Sequence, residues 1–270
     1  VNAVDAVTVG PKRLKDLTKS LRLVQFTDPH LFGDETRALR GVPTLPALRA
    51  TLAAAQPDIQ SADAILVTGD LVQDDPAGYA HFRREFAALG RPVLCIPGNH
   101  DDLPAMQAAL AAAPFQVGGV HDEGAWRIVL VDSTLPGQTH GQLDAARLAA
   151  LEAALAGAEG RHALVCLHHH PVPLESRWLD QVGLANGPEL MALLGRHANV
   201  RGVVFGHVHQ ARELEAGGLP LIATPSTCSQ FLPRSDDFQV DTRPPAWRTL
   251  QLHPDGRIES ELNWLQGFAR

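Results

Sequence analysis

The sequence predicts an α/β fold in four layers, α-β-β-α, with two mixed sheets packed face to face. Three observations predict it. Short apolar runs alternate with Ala-rich stretches of helical spacing as far as Gly206, the pattern of strands joined through helices. Beyond Gly206 the helices stop, and short strands separated by turns take over. An apolar share of 45% over 270 residues is enough to fill a core.

The elements follow in order. A polar, Lys-bearing lead-in over residues 1–20 gives way to a strand from Leu21 to Phe26. A helix opened by Pro43 is expected to stop at Pro57. Strands are expected at Ala64 to Thr68, Val93 to Ile96, Ile128 to Val131, Ala163 to Leu167 and Val200 to Phe205. Helical spacing lies between them at Ala77 to Leu89, Leu103 to Ala112, Gln142 to Ala156 and Pro188 to His197. A Gly/Pro/Ser loop runs from Asp132 to Gly141. The tail offers strands at Leu219 to Ala223, Phe238 to Asp241, Trp247 to His253 and Ile258 to Trp264, the last two joined as a hairpin by Pro254-Asp255-Gly256. With no repeat and no linker rich enough to divide it, residues 21–270 read as a single domain.

A net charge of −7 argues, though only weakly, against tracking long nucleic acid, because such binding comes from Lys and Arg neutralising phosphates. It leaves a small anionic substrate open, since bound metal ions supply positive charge that residue counts miss. No apolar run approaches the ~20 residues that span a bilayer, and the segment from Val1 to Gly10 lacks the basic start and apolar centre of a signal peptide. Three cysteines, two of them (Cys95 and Cys166) inside strand-like runs, read as reduced, partly buried thiols of a cytoplasmic protein.

The ligand-capable side chains fall at strand ends. Asp28 and His30 close the first strand, Asp70 the second, and Asn99, His100 and Asp101 the third; His168 follows the strand ending at Leu167, and His207 and His209 follow the one ending at Phe205. Ligands of α/β proteins gather beyond the carboxyl ends of strands, so these loops are expected to converge on one rim. Asp28 and His30 are two apart, as are His207 and His209, and on extended backbone residues so spaced point the same way. Glycines at 69, 98 and 206 precede ligand candidates, where a tight turn or close approach is needed. A lone Asp-x-His or Gly-Asp carries little weight; the ordered set carries a good deal.

Imidazole and carboxylate without thiolate suit Fe, Mn, Zn or Co. Two such cations ~3.5–4 Å apart can clamp the attacking and leaving oxygens of an in-line displacement. Asp70 is the natural bridge: one ion can take Asp28, His30, Asp70 and His209, the other Asp70, Asn99, His168 and His207. His169 and His170 are expected to line the pocket or to support ligands, and the remaining histidines to lie at the surface or in the core.

Asp28-x-His30, Gly69-Asp70, Gly98-Asn99-His100-Asp101, His168 and Gly206-His207-x-His209 together resemble the five-block signature of calcineurin-like metallophosphoesterases. The closer likeness is to bacterial class III 3′,5′-cyclic AMP phosphodiesterases, through His168-His169-His170-Pro171, Trp178-Leu179-Asp180-Gln181, Ala223-Thr224-Pro225-Ser226-Thr227-Cys228 and Trp247-Arg248-Thr249-Leu250. The resemblance implies the four-layer sandwich, two divalent or mixed-valence metal ions (Fe, Mn or Zn), and hydrolysis of cyclic AMP to 5′-AMP. It implies substrate contacts from His30, Asp70, Asn99, His100, His168 and His209. His100, which is not among the ligands, is expected to be catalytic, protonating the leaving oxygen or stabilising the charge of the transition state. Some relatives dimerise, so a homodimer is among the expectations. One departure stands out: where many relatives carry an acidic residue three positions after the bridging Asp, this chain has Gln73, followed by Asp74 and Asp75.

Other readings are a phosphodiesterase acting on glycerophosphodiesters, 2′,3′-cyclic nucleotides or nucleic-acid ends, a phosphoprotein phosphatase, which the missing Asp-Arg-Gly sequence disfavours, and a non-catalytic module, which a complete ligand set disfavours. Arg37, Arg40 and the stretch from Glu175 to Asn186 are candidates for reading a base, by nearness in sequence to the site loops.

Overall fold

A computed structural model gives the structure of residues 18–268, so the expected lead-in lies, up to residue 17, outside the described residues. Two six-stranded mixed sheets form the centre. The first runs in the order Ile258–Trp264, Ala246–Leu252, Leu21–Phe26, Ala64–Thr68, Val93–Ile96, Phe115–Val117, antiparallel over its first three strands and parallel over the rest. The second runs Arg212–Ala216, Leu219–Ala223, Val200–Phe205, His162–Leu167, Trp126–Leu130, Gly119–Glu123, with the outermost pair at each edge antiparallel and the interior parallel.

Strand periodicity explains the layers. Along Ala64–Thr68, Ile65 and Val67 pack into a core with the helices, while Ala64 and Leu66 face the other way, into the layer shared with Leu164, Cys166 and Val204 of the second sheet. The second sheet repeats the arrangement, with Ala163, Val165 and Leu167 turned to its own helical layer. Strands buried on both faces read as unbroken apolar runs, which is why the sequence located Leu21–Phe26, Ala64–Thr68, Val93–Ile96 and Val200–Phe205 to the residue.

The differences have local causes. Pro57 does not end the first helix: Thr44–Ala54 stops before it, and Pro57 sits in the opening turn of a second helix, Gln56–Ser61, where its missing N–H is no loss. The helix expected from Gln142 starts at Ala145, because Asp144 caps it by accepting from Arg147 N at 2.7 Å. Of the strand expected over Phe238 to Asp241, only Val240–Asp241 pairs, in a separate ribbon with Gln230–Phe231. Phe115–Val117, Gly119–Glu123 and Arg212–Ala216 were not expected; all are half-exposed edge strands without an apolar run.

The parallel strands bring their carboxyl ends to one rim, where the two sheets are stitched together. Asp28 N donates to Gly69 O at 3.0 Å within the first sheet, and His207 N, from the second, donates to the Asp28 carboxylate at 3.1 and 3.2 Å.

Candidate metal centre

Five of the seven expected ligands hold a left-handed backbone: Asp28 (φ 52°), His30 (48°), Asp70 (50°), His207 (66°) and His209 (47°). This corrects the extended-backbone argument for the two pairs; their side chains share a direction because the chain curls at each residue. Such conformations cost about 1–3 kcal/mol apiece for non-glycine residues and persist where the surroundings enforce them. Glycines make the curl possible. Gly69 has φ 98°, and a Cβ on Gly206 would stand 2.8 Å from Asp28 Oδ2.

The side chains converge in two groups around Asp70. His30 Nε2 and His209 Nε2 are 3.0 Å apart, and Asp28 Oδ1 is 3.3 Å from His209 Nε2 and 3.9 Å from His30 Nε2. On the other side His207 Nδ1 is 3.2 Å from His168 Nε2. Asp70 Oδ2 lies between, 3.7 Å from His30 Nε2 and 3.4 Å from His168 Nε2. Its Oδ1 is engaged elsewhere, accepting from His100 N at 2.9 Å. Asn99 Oδ1 is buried with no partner.

Neighbours fix which nitrogens carry protons. His168 Nδ1 donates to Thr68 O at 2.7 Å, and His209 Nδ1 to Ser229 O. A carbonyl only accepts, so in the neutral rings the Nε2 atoms present lone pairs to the centre. Lone pairs then face carboxylate oxygens and one another in a buried space, a set that repels itself unless cations stand among its members. Donors sharing a first-row cation at ~2.0–2.2 Å stand about 3 Å apart, which matches the spacing of these atoms. The residues fit a pair of metal ions.

The electrostatics agree. Burial works against charge on Asp28 and Asp70, but the histidines beside them, His209 for Asp28 and His168 for Asp70, hold both carboxyls below their ordinary range. Burial drives His30 down to about 3 and His207 well below its usual value. Burial also opposes charge on His168, yet the Asp70 carboxylate lifts it to about 9.

His100 stands beside this cluster. Its Nδ1 faces the Asp74 carboxylate at 3.0 and 3.1 Å, and its ring meets the His30 ring edge-on at 5.4 Å. Gln73 occupies the position that is acidic in many relatives and still reaches the ring, its side-chain amide 2.8 Å from His100 Nδ1. Asp74 adds the carboxylate through a left-handed turn at φ 52°, and Gln73 Nε2 donates to Asp74 Oδ2 at 2.8 Å.

Several supports went unassigned in the sequence. Asp101 ties two site loops together, accepting from Gly98 N (2.9 Å), Leu71 N (3.1 Å) and Tyr79 Oη (2.9 Å); burial and the charge of Asp70 push its carboxyl up to about 7. Thr27 Oγ1 donates to Asp28 Oδ2 at 2.6 Å, and Ser226 Oγ to Asp28 O at 2.7 Å. The Thr224–Cys228 block is therefore a buried brace for Asp28, continued by Ser229 beneath His209. His169 Nδ1 pairs with Ser133 Oγ at 2.9 Å, and both ring nitrogens of His170 are buried without a hydrogen-bond partner, Nε2 lying 3.9 Å from Asp180 Oδ1.

The candidates for reading a base separate. The Arg37 guanidinium lies 3.9 Å above the Phe32 ring. Arg40 joins an aromatic group: its guanidinium is 5.1 Å from Phe231 and 5.2 Å from Phe238, Trp178 packs on both rings, and Phe231 stacks on His209 at 4.1 Å. On the His100 side, a cleft of about 560 Å³ opens between residues 98–104 and the 132–137 loop.

Comparisons with known proteins agree with this geometry. Residues 21–211 match the family model described as calcineurin-like phosphoesterase. The 3′,5′-cyclic adenosine monophosphate phosphodiesterase CpdA of Escherichia coli K12 is 43% identical over 247 residues, covering 91% of this chain and 90% of that protein. The protein of the same name from Pseudomonas aeruginosa is 40% identical, covering 90% of each. Among solved structures, a dimetal phosphatase from Danio rerio superposes with a TM-score of 0.63 at 14% identity, covering 91% of this chain and 99% of that one. Purple acid phosphatase PPD1 from yellow lupin gives 0.64 at 14% identity, covering 94% and 53%.

Proposed function

This chain belongs to the calcineurin-like phosphoesterase family, and from that premise we propose that it hydrolyses 3′,5′-cyclic AMP to 5′-AMP at a pair of metal ions. The observation that carries the hydrolytic reading is the Asp70 carboxylate standing between two groups of inward-facing lone pairs. Cyclic AMP as substrate is supported by the names of relatives that match nine-tenths of the chain.

Asp28, His30, Asp70 and His209 would hold one ion, and Asp70, Asn99, His168 and His207 the other; Fe, Mn or Zn suits these donors. When bound, such ions supply positive charge to the phosphoryl oxygens and lower the pKa of a bound water. The chain's own groups do the rest. Thr68 and Ser229 hold His168 and His209 in the tautomer that offers Nε2 inward. His30, Asp70, Asn99, His100, His168 and His209 flank the phosphate. As water adds to phosphorus, the P–O3′ bond breaks, and the leaving oxygen takes a proton from Nε2 of His100. Asp74, accepting from Nδ1, keeps that ring in position and steadies it while charged.

The reading includes one domain from residue 21 onward, a small cyclic nucleotide as partner in place of nucleic acid, a cytoplasmic location and a homodimer. Three buried free cysteines accord with a reducing compartment. Among the described residues no helix is long and apolar enough to cross a membrane.

Elemental analysis of the protein as purified, paired with turnover of cyclic AMP, 2′,3′-cyclic AMP, a glycerophosphodiester and bis(p-nitrophenyl) phosphate, tests the proposal. Cyclic AMP is expected to give the highest kcat/KM with two ions per chain. Preference for another diester breaks the substrate assignment, and absence of both metal and activity after adding Mn²⁺ or Fe²⁺ favours a non-catalytic module.

A further inference from the structure

We infer that the cleft beside His100, with Leu135 on one wall and Leu103 and Pro104 on the other, is the subsite for the nucleoside part of the substrate; this rests on the phosphodiesterase reading and on the role given to His100. The argument starts from the substrate's connectivity. In a 3′,5′-cyclic nucleotide the leaving oxygen is itself attached to the ribose, so the group that protonates it must lie against the sugar, with the base just beyond. The nucleoside therefore extends from the centre on the His100 side, and the cleft begins there, with Asn99 and His100 among its lining. Its volume of about 560 Å³ falls in the ~300–1,000 Å³ range of small-molecule sites.

The wall is set before a ligand arrives. Asp132 Oδ1 accepts from the Thr134 backbone (2.8 Å) and hydroxyl (2.7 Å), Arg147 Nη2 donates to Asp132 Oδ2 at 2.8 Å, and Arg147 Nη1 donates to Thr134 O at 2.6 Å. A braced loop loses little entropy on binding. The leucines and prolines offer a base its apolar contacts. The charges disfavour a second phosphate: Asp74, Asp75 and Asp102 line the cleft too, and its arginine, Arg147, is committed to Asp132. The aromatic group near Arg40 is the alternative subsite, but it packs on His209, and its rings are engaged with one another and with the guanidinium.

The test replaces Leu135. In Leu135→Trp, which fills the cleft, KM for cyclic AMP is expected to rise about tenfold or more, the scale of losing a buried apolar contact, with kcat and metal content kept. Adenosine, which has no phosphate, is expected to bind the wild type in saturation-transfer NMR and to lose that signal in the variant. Leu135→Ala moves KM in the same direction with less disturbance, covering the case in which the larger side chain prevents folding. Unchanged KM in both variants, or a rise in Arg40→Ala instead, overturns the assignment. A wild type that does not hydrolyse cyclic AMP breaks the substrate reading, and adenosine binding then decides the cleft alone: no signal, or one insensitive to Leu135, removes it.

Discussion

On one side of Asp70 stand Asp28, His30 and His209; on the other stand His168 and His207, to which the proposed assignment adds Asn99. The first half owns a carboxylate, fixed by Thr27 Oγ1 and His207 N. The second has no carboxylate except the shared one, and it is crowded with neutral rings, His169 lying 4.7 Å and His170 5.8 Å from the His207 ring. Counting Asp70 with both, the first half presents two formal negative charges to a cation and the second presents one. The difference teaches that two sites built from nearly the same residue types need not hold metal equally: donor charge favours the first half, and the second depends on Asp70 for all of its own.

Asp70→Ala is the most damaging way to probe this. It removes the only negative donor of the second half and one of two from the first, so both ions are expected to be lost in elemental analysis, with activity reduced by more than the ~10²–10³ of losing a single charge-stabilising donor. Retention of two ions breaks the bridging assignment. Asp28→Ala and His207→Ala separate the halves: each is expected to retain one ion, and partial chelation of the wild type to empty the second half first.

His100→Ala belongs to neither half. Both ions are expected to stay while kcat on cyclic AMP falls by ~10²–10⁴, the usual scale of a lost proton donor. The loss is expected to shrink on a diester with a good leaving group. Full activity in this variant removes His100 from the mechanism.

What the sequence could show follows from the same contrast. Strand ends and two-residue spacings are local, so the five motif loops were legible, and the strands buried on both faces could be placed by their apolar runs. Side-chain direction was not: Asp28 and His30 converge through left-handed turns, a property of φ that residue type hints at only weakly. Contacts between distant segments were also hidden. The Ser229 carbonyl under His209, Phe231 stacked on that ring, and Asp101 spanning two loops leave no periodic trace. Edge strands such as Arg212–Ala216 lack the apolar pattern that marks a strand.

Asp74 is a smaller test of the catalytic side. Asp74→Asn leaves a side chain that can still reach His100 Nδ1 but carries no charge to steady the protonated ring. A kcat loss of ~10–100-fold with metal content unchanged is expected, in line with other removals of an orienting partner. Because the role is positional, the leaving group is the discriminating readout: the loss is expected to be large on cyclic AMP and small on bis(p-nitrophenyl) phosphate, whose leaving oxygen needs little help from a proton. An equal fall on both substrates assigns Asp74 to structure alone.

The mildest effect concerns protons and bears most directly on the two halves. Without metal, His168 holds a proton up to about pH 9, whereas His30 gives its proton up near pH 3. An ion entering the second half at neutral pH must therefore displace a proton from His168 Nε2, and the ion in the first half displaces none from His30. Metal binding that releases one proton weakens tenfold for each pH unit below the ligand's pKa. Affinity of the second half is thus expected to fall about tenfold per unit as pH drops below 9, with the first half changing less. Calorimetry of Mn²⁺ binding in two buffers of different ionisation enthalpy counts the protons directly. About one more should accompany the second ion than the first. Equal release from both halves would mean that His168 enters the metal-free centre without its proton, and the asymmetry would then rest on Asp28 alone.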